Sequence, residues 1–559
     1  MLLIGAALSA WLTYAQVPDW SSRATLAHQN DLSDFSSREN IYQLPVMRWR
    51  TRITDGKKHA LIYPISITPL LIPYEPIKYF FEAPRGTPLR RWLFEGMQDI
   101  AKMDQLDDLF KWLGLHSYPK TASENFSQIP ELSPTYKNFR LGATIIEQNE
   151  AKGLTFSCAA CHSGQLFGKT ILGLTNRFPR SNEFFLYGKT GSPYVSPELF
   201  HLGLKATVAE KKMLEKSIDS MKWVKIKKPL ALGLDTSLAQ VGLSLALRAD
   251  DEYATQIKQT KKKHPLETEP ADSKPAVWWN LKYKTRWLSD GSIISGNPVF
   301  TNFLWNEIGR GTNLHELESW LQNHPKVVEE LTTMLFATKA PQYWEILPIE
   351  KIDVERARRG EKHFQQSCQK CHGEYQKAWS SEGAERLSLS EYLSTTKVIY
   401  HAKTPVINVG TDPQRYQGMN YFYEGLNKLK ISKMSGTVVV PQKGYVPPPL
   451  VGIWARWPYF HNNSIPNLCQ LMTPPAERVT RYWSGEAINP ETDFDEECNG
   501  YPLGDKAPES WKTKDHLYET KIKGLSNQGH YERIFTDANG QEKYTKTEKR
   551  ELIEFLKTL

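Results

Sequence analysis

Apolar residues recur at helical spacing in several stretches of the chain. Between Glu95 and Leu115, Met97, Ile100, Met103, Leu106, Phe110 and Leu113 share one side, which predicts an amphipathic helix. A helical stretch is also expected around Phe139 to Glu150. Another runs from Arg356 to Cys368, where Ala357, Gly360 and Phe364 align. Near the end, Thr545-Lys-Thr-Glu548 reads as a capping box, with Leu552, Ile553, Leu556 and Leu559 following at helical spacing. Leu61 to Tyr74 is instead an extended apolar stretch rich in Ile and Pro, and the region of Ser163-Gly164, Gly168 and Gly173 is turn-rich.

Met1 to Ala15 forms an apolar run shorter than the ~20 residues a membrane span needs. Small residues at its end suit cleavage after Ala15, although no Lys or Arg precedes the run, so an export signal is favoured over an anchor. The expected divisions are 1–16 as that segment, 17–125 as an N-terminal extension, 126–345 as a first module and 346–559 as a second.

A chain of 559 residues can bury two or three cores. Its 17 Trp and 25 Tyr suit packing around a large flat cofactor, while its 35 Pro suggest long ordered loops. The net charge of +8 is dispersed, and the densest basic run, Lys258 to Lys263, sits beside prolines like a solvated linker, which argues against a nucleic-acid partner.

The cysteines change the picture most. Four of the six fall into two C-x-x-C-H units, Cys158/Cys161/His162 and Cys368/Cys371/His372. Even one such unit should arise by chance only ~0.002 times in this length. Two thiols at that spacing can each add to a haem vinyl group, and the adjacent His then supplies the proximal nitrogen to iron. A split zinc site would not require His after both pairs. Two covalently bound haems c are therefore expected, in a periplasmic or secreted protein of a Gram-negative-type bacterium. In that compartment the remaining Cys469 and Cys498 are expected to form a disulfide.

Two such modules with an insertion between them resemble the bacterial di-haem cytochrome c peroxidase superfamily, which includes the MauG-type enzymes. Pro449-Leu-Val-Gly452-Ile-Trp454-Ala-Arg-Trp-Pro458-Tyr459-Phe460-His461-Asn-Asn-Ser464-Ile-Pro466 carries that likeness. The nearest resemblance is to the branch around the rubber oxygenase RoxA. It rests on Val409-Gly410-Thr411-Asp412-Pro413-Gln-Arg415, Pro474-Pro475-Ala-Glu477-Arg478, Ser526-Asn527-Gln-Gly529-His530 and the pair Trp278-Trp279. The likeness runs from about residue 135 to the C-terminus. It implies a mainly α fold with long loops, in which two class I cytochrome c-like haem domains follow the N-terminal extension.

The resemblance also implies axial ligands. His162 and His372 are the proximal ones, and His530 stands where the branch places a distal His on the second haem, with Met472 and His461 as rivals. Trp279, with Trp278 beside it, is placed over the far face of the first haem, which RoxA-like enzymes keep available for dioxygen. Peroxidases of the superfamily supply a glutamate soon after an aromatic-Asp-Gly stretch. Here Ser289-Asp290-Gly291-Ser292 is followed by no acid before Glu307, which counts against an ordinary cytochrome c peroxidase.

The expected activity is an oxidoreductase that takes dioxygen or peroxide at the first haem and uses the second as electron-transfer centre. A small cytochrome or cupredoxin is a candidate electron partner. The alternatives are a non-catalytic electron carrier and a haem-stabilised binding protein. Trp278 stands where the rubber-cleaving relative has Phe, so no organic substrate is assigned.

Overall fold

The computed structural model describes residues 36–82, 103–248 and 264–559, with short pieces at 18, 20, 32–34 and 88. The export segment Met1–Ala15, the lysine run 258–263 and the first half of the predicted 95–115 helix lie outside the described residues. Of that helix, Leu106–Trp112 is described, with Phe110 buried.

The fold is mixed and largely helical, and its described residues form two large hydrophobic cores that interleave in sequence and two smaller ones. The first collects residues from Ala60 to Val439 and the second from Leu166 to Leu559. Ala60 to Leu71 of the N-terminal extension join the first core, while Phe110, Leu113 and Leu115 join a smaller one. The extension's helix α1 (Val46–Leu61) lies across α2 (Pro325–Ala337) at Gly56, where a Cβ would stand 2.3 Å from the Glu330 carbonyl oxygen. Arg52 and His59 also meet the Glu330 carboxylate there.

Around the first cysteine motif the expected helix is replaced by strands. Ala143–Gln148 (β1) and Ala151–Phe156 (β2) pair antiparallel through a two-residue turn, Asn149-Glu150, with φ of 47° and 67°. Thr144, Ile145 and Ile146 are β-branched, and positive φ at both turn positions matches the twist of a tight hairpin. An apolar run alone cannot separate a short strand from a helix. A second hairpin, Ser163–Leu166 (β3) with Lys169–Leu172 (β4), follows the motif and turns at Gly168. The first motif therefore sits in a β frame, which corrects the expectation of a helical class I cytochrome c domain there.

The second motif follows the helical expectation. Asp353 caps α3 (Val354–Ser367), and Ala357, Gly360 and Phe364 form its buried face. The reciprocal Thr545/Glu548 box opens α4 (Lys546–Lys557). The two helices cross so closely that a Cβ on Gly360 would lie 1.9 Å from the Glu551 carbonyl oxygen, and Phe364 meets Phe555 at 5.2 Å between ring centres. Small cytochromes c pack their first and last helices in this way. Among the described residues no helix is long and apolar enough to cross a membrane.

Candidate functional site

Both motifs open into one cavity of about 620 Å³, whose walls include Cys158, Cys161, His162, Cys368, Cys371 and His372. The strand β2 delivers Cys158 into a 3-10 turn, Cys158–Ala160. Asn176 holds that turn by donating to the carbonyls of Ala160 and Gly114 at 2.7 and 2.8 Å. The second motif is a short helix, Gln369–His372, ended by Gly373 at φ 86°.

The two histidines are oriented alike. Nδ1 of His162 lies 2.9 Å from the Ala276 carbonyl oxygen, and Nδ1 of His372 lies 2.8 Å from that of Pro448. A proton on Nδ1, placed there by this bond, leaves Nε2 with its lone pair, which is the arrangement of a metal-ligating imidazole. Burial drives both rings down to about 4, so they are neutral at ordinary pH and able to ligate.

Opposite His372 stands His530, with ring centres 6.1 Å apart. Two imidazoles sharing one metal ion through bonds of about 2 Å hold their centres about 6 Å apart, so the separation fits a single iron between them. The His530 ring is driven down to about 3, first by burial and then by the His372 and Arg478 charges.

Three stretches that are distant in sequence build the His530 cradle. The Arg478 guanidinium donates to the carbonyls of Gly529 at 2.9 Å, Leu471 and Thr473, each at 3.0 Å, and Asn527. The His530 amide donates to Val409 at 2.7 Å, and the Ser526 amide donates to the Asp412 carboxylate at 3.3 Å. Gly529 has φ 80°, and a Cβ there would meet Gly410 at 2.3 Å. The rivals are placed differently. Met472 is buried and lines the cavity. His461 stacks on Tyr445 at 3.9 Å, and its Nε2 has no hydrogen-bond partner.

The tryptophans do not lie as the resemblance implied. Trp278 meets His162 at 5.3 Å between ring centres, too close for a porphyrin to lie between them. A ring stacked across a haem would stand at least about 6.5 Å away, given a metal–nitrogen bond near 2 Å and van der Waals contact beyond it. Trp278 therefore packs beside His162 on its own side. Trp279 turns into the second core, fully buried, and its indole N–H donates to the Val451 carbonyl at 2.9 Å. Residues 278–283 form a 3-10 helix, whose successive side chains diverge by about 120°, so one wall can receive only one of the pair. Asp290 is also committed elsewhere, in a buried ion pair with Arg415 at 3.3 Å.

The charge of the cavity also suits haem. Lys274, Lys284 and Arg456 line it, and among the described residues none has a carboxylate partner. The Lys274 amine donates to the Arg456 and Pro458 carbonyls, and Arg456 donates to Pro449 at 2.8 Å. Burial, then the neighbouring Arg456, pushes the Lys284 amine down to about 8, and burial pushes Lys274 well below its usual range. Enclosed cations without counter-ions suit a ligand that brings carboxylates of its own, as haem does. Nothing in the local sequence around these three residues marks them, because each acts only where the cavity brings them together.

Cys469 and Cys498 are bonded, with their Cα atoms 5.0 Å apart. Met472 and Arg478 lie on the same stretch, so the bridge anchors the segment that holds the His530 loop.

Comparison with known proteins finds a likeness in the same part of the chain. Residues 444–484 match the family described as RoxA-like, cytochrome c-like. A cytochrome c-like domain implies covalently bound haem c. The matched stretch contains Pro448, Arg456, His461, Cys469, Met472 and Arg478, all of them part of the site just described. The chain is also similar to the uncharacterized protein y4iJ of Sinorhizobium fredii, at 25% identity over 492 residues, covering 73% of this chain and 76% of that protein. A second protein of the same organism, the uncharacterized y4iM, is 28% identical over 141 residues, 24% of this chain and 32% of its own length.

Proposed function

We propose that the protein is an exported di-haem oxidoreductase that takes dioxygen or peroxide at its first haem and stores electrons at its second. One observation carries the reading: His372 has an imidazole at metal-bridging distance, His530, whereas the ring that meets His162 is an indole on its own side. A closed, two-histidine iron exchanges electrons with little rearrangement, and an iron with one free face can bind a small oxidant.

The haems, when bound, supply the redox chemistry. The chain's part is to hold and insulate them. His162 and His372 would hold the irons, with Ala276 and Pro448 fixing their tautomers. His530 would be the second ligand of the second iron, and Lys274, Lys284 and Arg456 would balance the haem carboxylates. Trp278 sits in the first core and Trp279 in the second, so the pair spans the seam between the two sites and is placed to pass charge across it. An acid–base peroxidase mechanism gains no support from Asp290, which Arg415 already engages. The branch resembled in sequence, around a rubber oxygenase, agrees with oxygen chemistry at the first site.

Two measurements on the exported holoprotein test this. Mass spectrometry should show two covalently added haems. The ferric spectrum should combine one low-spin and one high-spin component. A single added haem, or two low-spin centres, defeats the proposal.

A further inference from the structure

The cavity wall beside the first motif carries a tyrosine that the reading above does not use. Tyr63 comes from the N-terminal extension and is 3% exposed, and its ring lines the cavity together with Cys158 and Phe156. Its hydroxyl donates to Oε1 of Glu307 at 2.6 Å, and Glu307 is fully buried. The other carboxylate oxygen, Oε2, accepts from the Thr312 hydroxyl, which pins the carboxylate towards the phenol. The Arg310 guanidinium lies over the Tyr63 ring, 4.1 Å from its centre.

We propose that Tyr63 is a redox-active tyrosine of the first haem site, with Glu307, which is also ion-paired to Arg310 at 3.9 Å, as its proton acceptor. The inference rests on the oxidant-binding role given to that site above. Losing an electron makes a phenol strongly acidic, so a buried tyrosine can be oxidised readily only if its proton has somewhere to go. Glu307 provides that place along an existing hydrogen bond. Arg310 disfavours a cationic ring, because at 4.1 Å the two positive charges would face each other directly.

The step balances. The Tyr63 O–H bond breaks, its proton forms an O–H bond on Glu307 Oε1, and one electron passes to the haem site. A neutral phenoxyl radical and a neutral carboxylic acid remain. Hydrogen peroxide is the oxidant: it takes two electrons, one from Tyr63 and one from the haem centres, with two protons from solvent, and becomes two waters. The Arg310 charge raises the potential of the tyrosine, so the radical forms only under a strong oxidant and not in the resting protein.

The test is freeze-quench electron paramagnetic resonance of the ferric holoprotein mixed with hydrogen peroxide. The wild type should lose its high-spin iron signal and gain a tyrosyl signal, narrowed when the protein is grown on ring-deuterated tyrosine. Tyr63→Phe keeps the ring packing and should abolish the tyrosyl signal while the iron signal still responds. Glu307→Gln keeps the shape of the acceptor but cannot hold the proton, and should cut the radical yield about a hundredfold, the low end of what a positioned proton acceptor contributes. A tyrosyl signal unchanged in Tyr63→Phe, or an iron response with no tyrosyl signal in the wild type, overturns the assignment of Tyr63 alone. An iron signal indifferent to peroxide removes peroxide from the proposed function, which then rests on dioxygen, and overturns this inference.

Discussion

The two C-x-x-C-H motifs have the same chemistry but are framed by different architectures. The first is set between two β-hairpins, with its turn tied by Asn176 and its imidazole packed beside Trp278. The second ends a helix that packs on the chain's last helix, and a second imidazole faces it. The motif determines attachment and the proximal ligand. What surrounds it determines whether the opposite face of the iron is occupied. In the second region the facing imidazole is positioned by three loops, a buried arginine and a glycine whose Cβ would clash.

The largest expected effect comes from the motifs themselves. Replacing Cys158 and Cys161 with Ala, or Cys368 and Cys371 with Ala, should each remove one haem mass from the mature chain by mass spectrometry. Loss of the second pair should remove the low-spin spectrum, and loss of the first the high-spin one.

Next is His530→Ala, which should convert the second iron to a high-spin, ligand-binding form and erase the difference between the regions. Met472→Leu and His461→Gln should leave the low-spin signal in place. Third is the Cys469–Cys498 bridge. Replacing both with Ala releases a 29-residue separation and should lower unfolding stability by about 3.5 kcal/mol in the chain-entropy picture, measured by denaturant titration. Arg478→Ala leaves four carbonyls without their shared donor. It should cost about 2–3 kcal/mol and add a high-spin fraction at the second haem, with the first unchanged.

The smallest effect at neutral pH separates a ligand from a structural histidine. Burial, then Arg415 and Lys274, drives His461 down to about 3, against about 6.5 for an unfolded chain. Above pH 6.5 the ring is neutral in both states and its contribution is intact. As the pH falls below 6.5 only the unfolded chain takes up the proton, so stability falls by up to about 1.4 kcal/mol per pH unit until the folded ring also titrates. His461→Phe should flatten the acid limb of the stability profile by that slope without changing the iron spectra.

What was legible in the sequence follows the same division. The two motifs, the Thr545 cap and the Gly360/Phe364 face are local patterns, and each reappears in the structure where the sequence puts it. The hairpin at 143–156 was not legible, because an apolar run before a cysteine motif fits a helix as well as strands, and only the Asn149-Glu150 turn distinguishes them. Val409–Arg415, Pro474–Arg478 and Ser526–His530 were visible as separate stretches. That all three serve one imidazole depends on contacts between residues 50 to 120 positions apart, which no local spacing encodes. Trp279 was placed from resemblance, and the 3-10 geometry of its segment points it elsewhere. Tyr63 escaped notice because it sits in the extension, where packing is the ordinary explanation for an aromatic residue.

Carbon monoxide titration of the fully reduced holoprotein tests the asymmetry most directly, since the gas binds only an iron with a free face. The account predicts saturation at one carbon monoxide per chain carrying two haems, with the second haem's bands unmoved. Uptake of two equivalents, or of none, would contradict it.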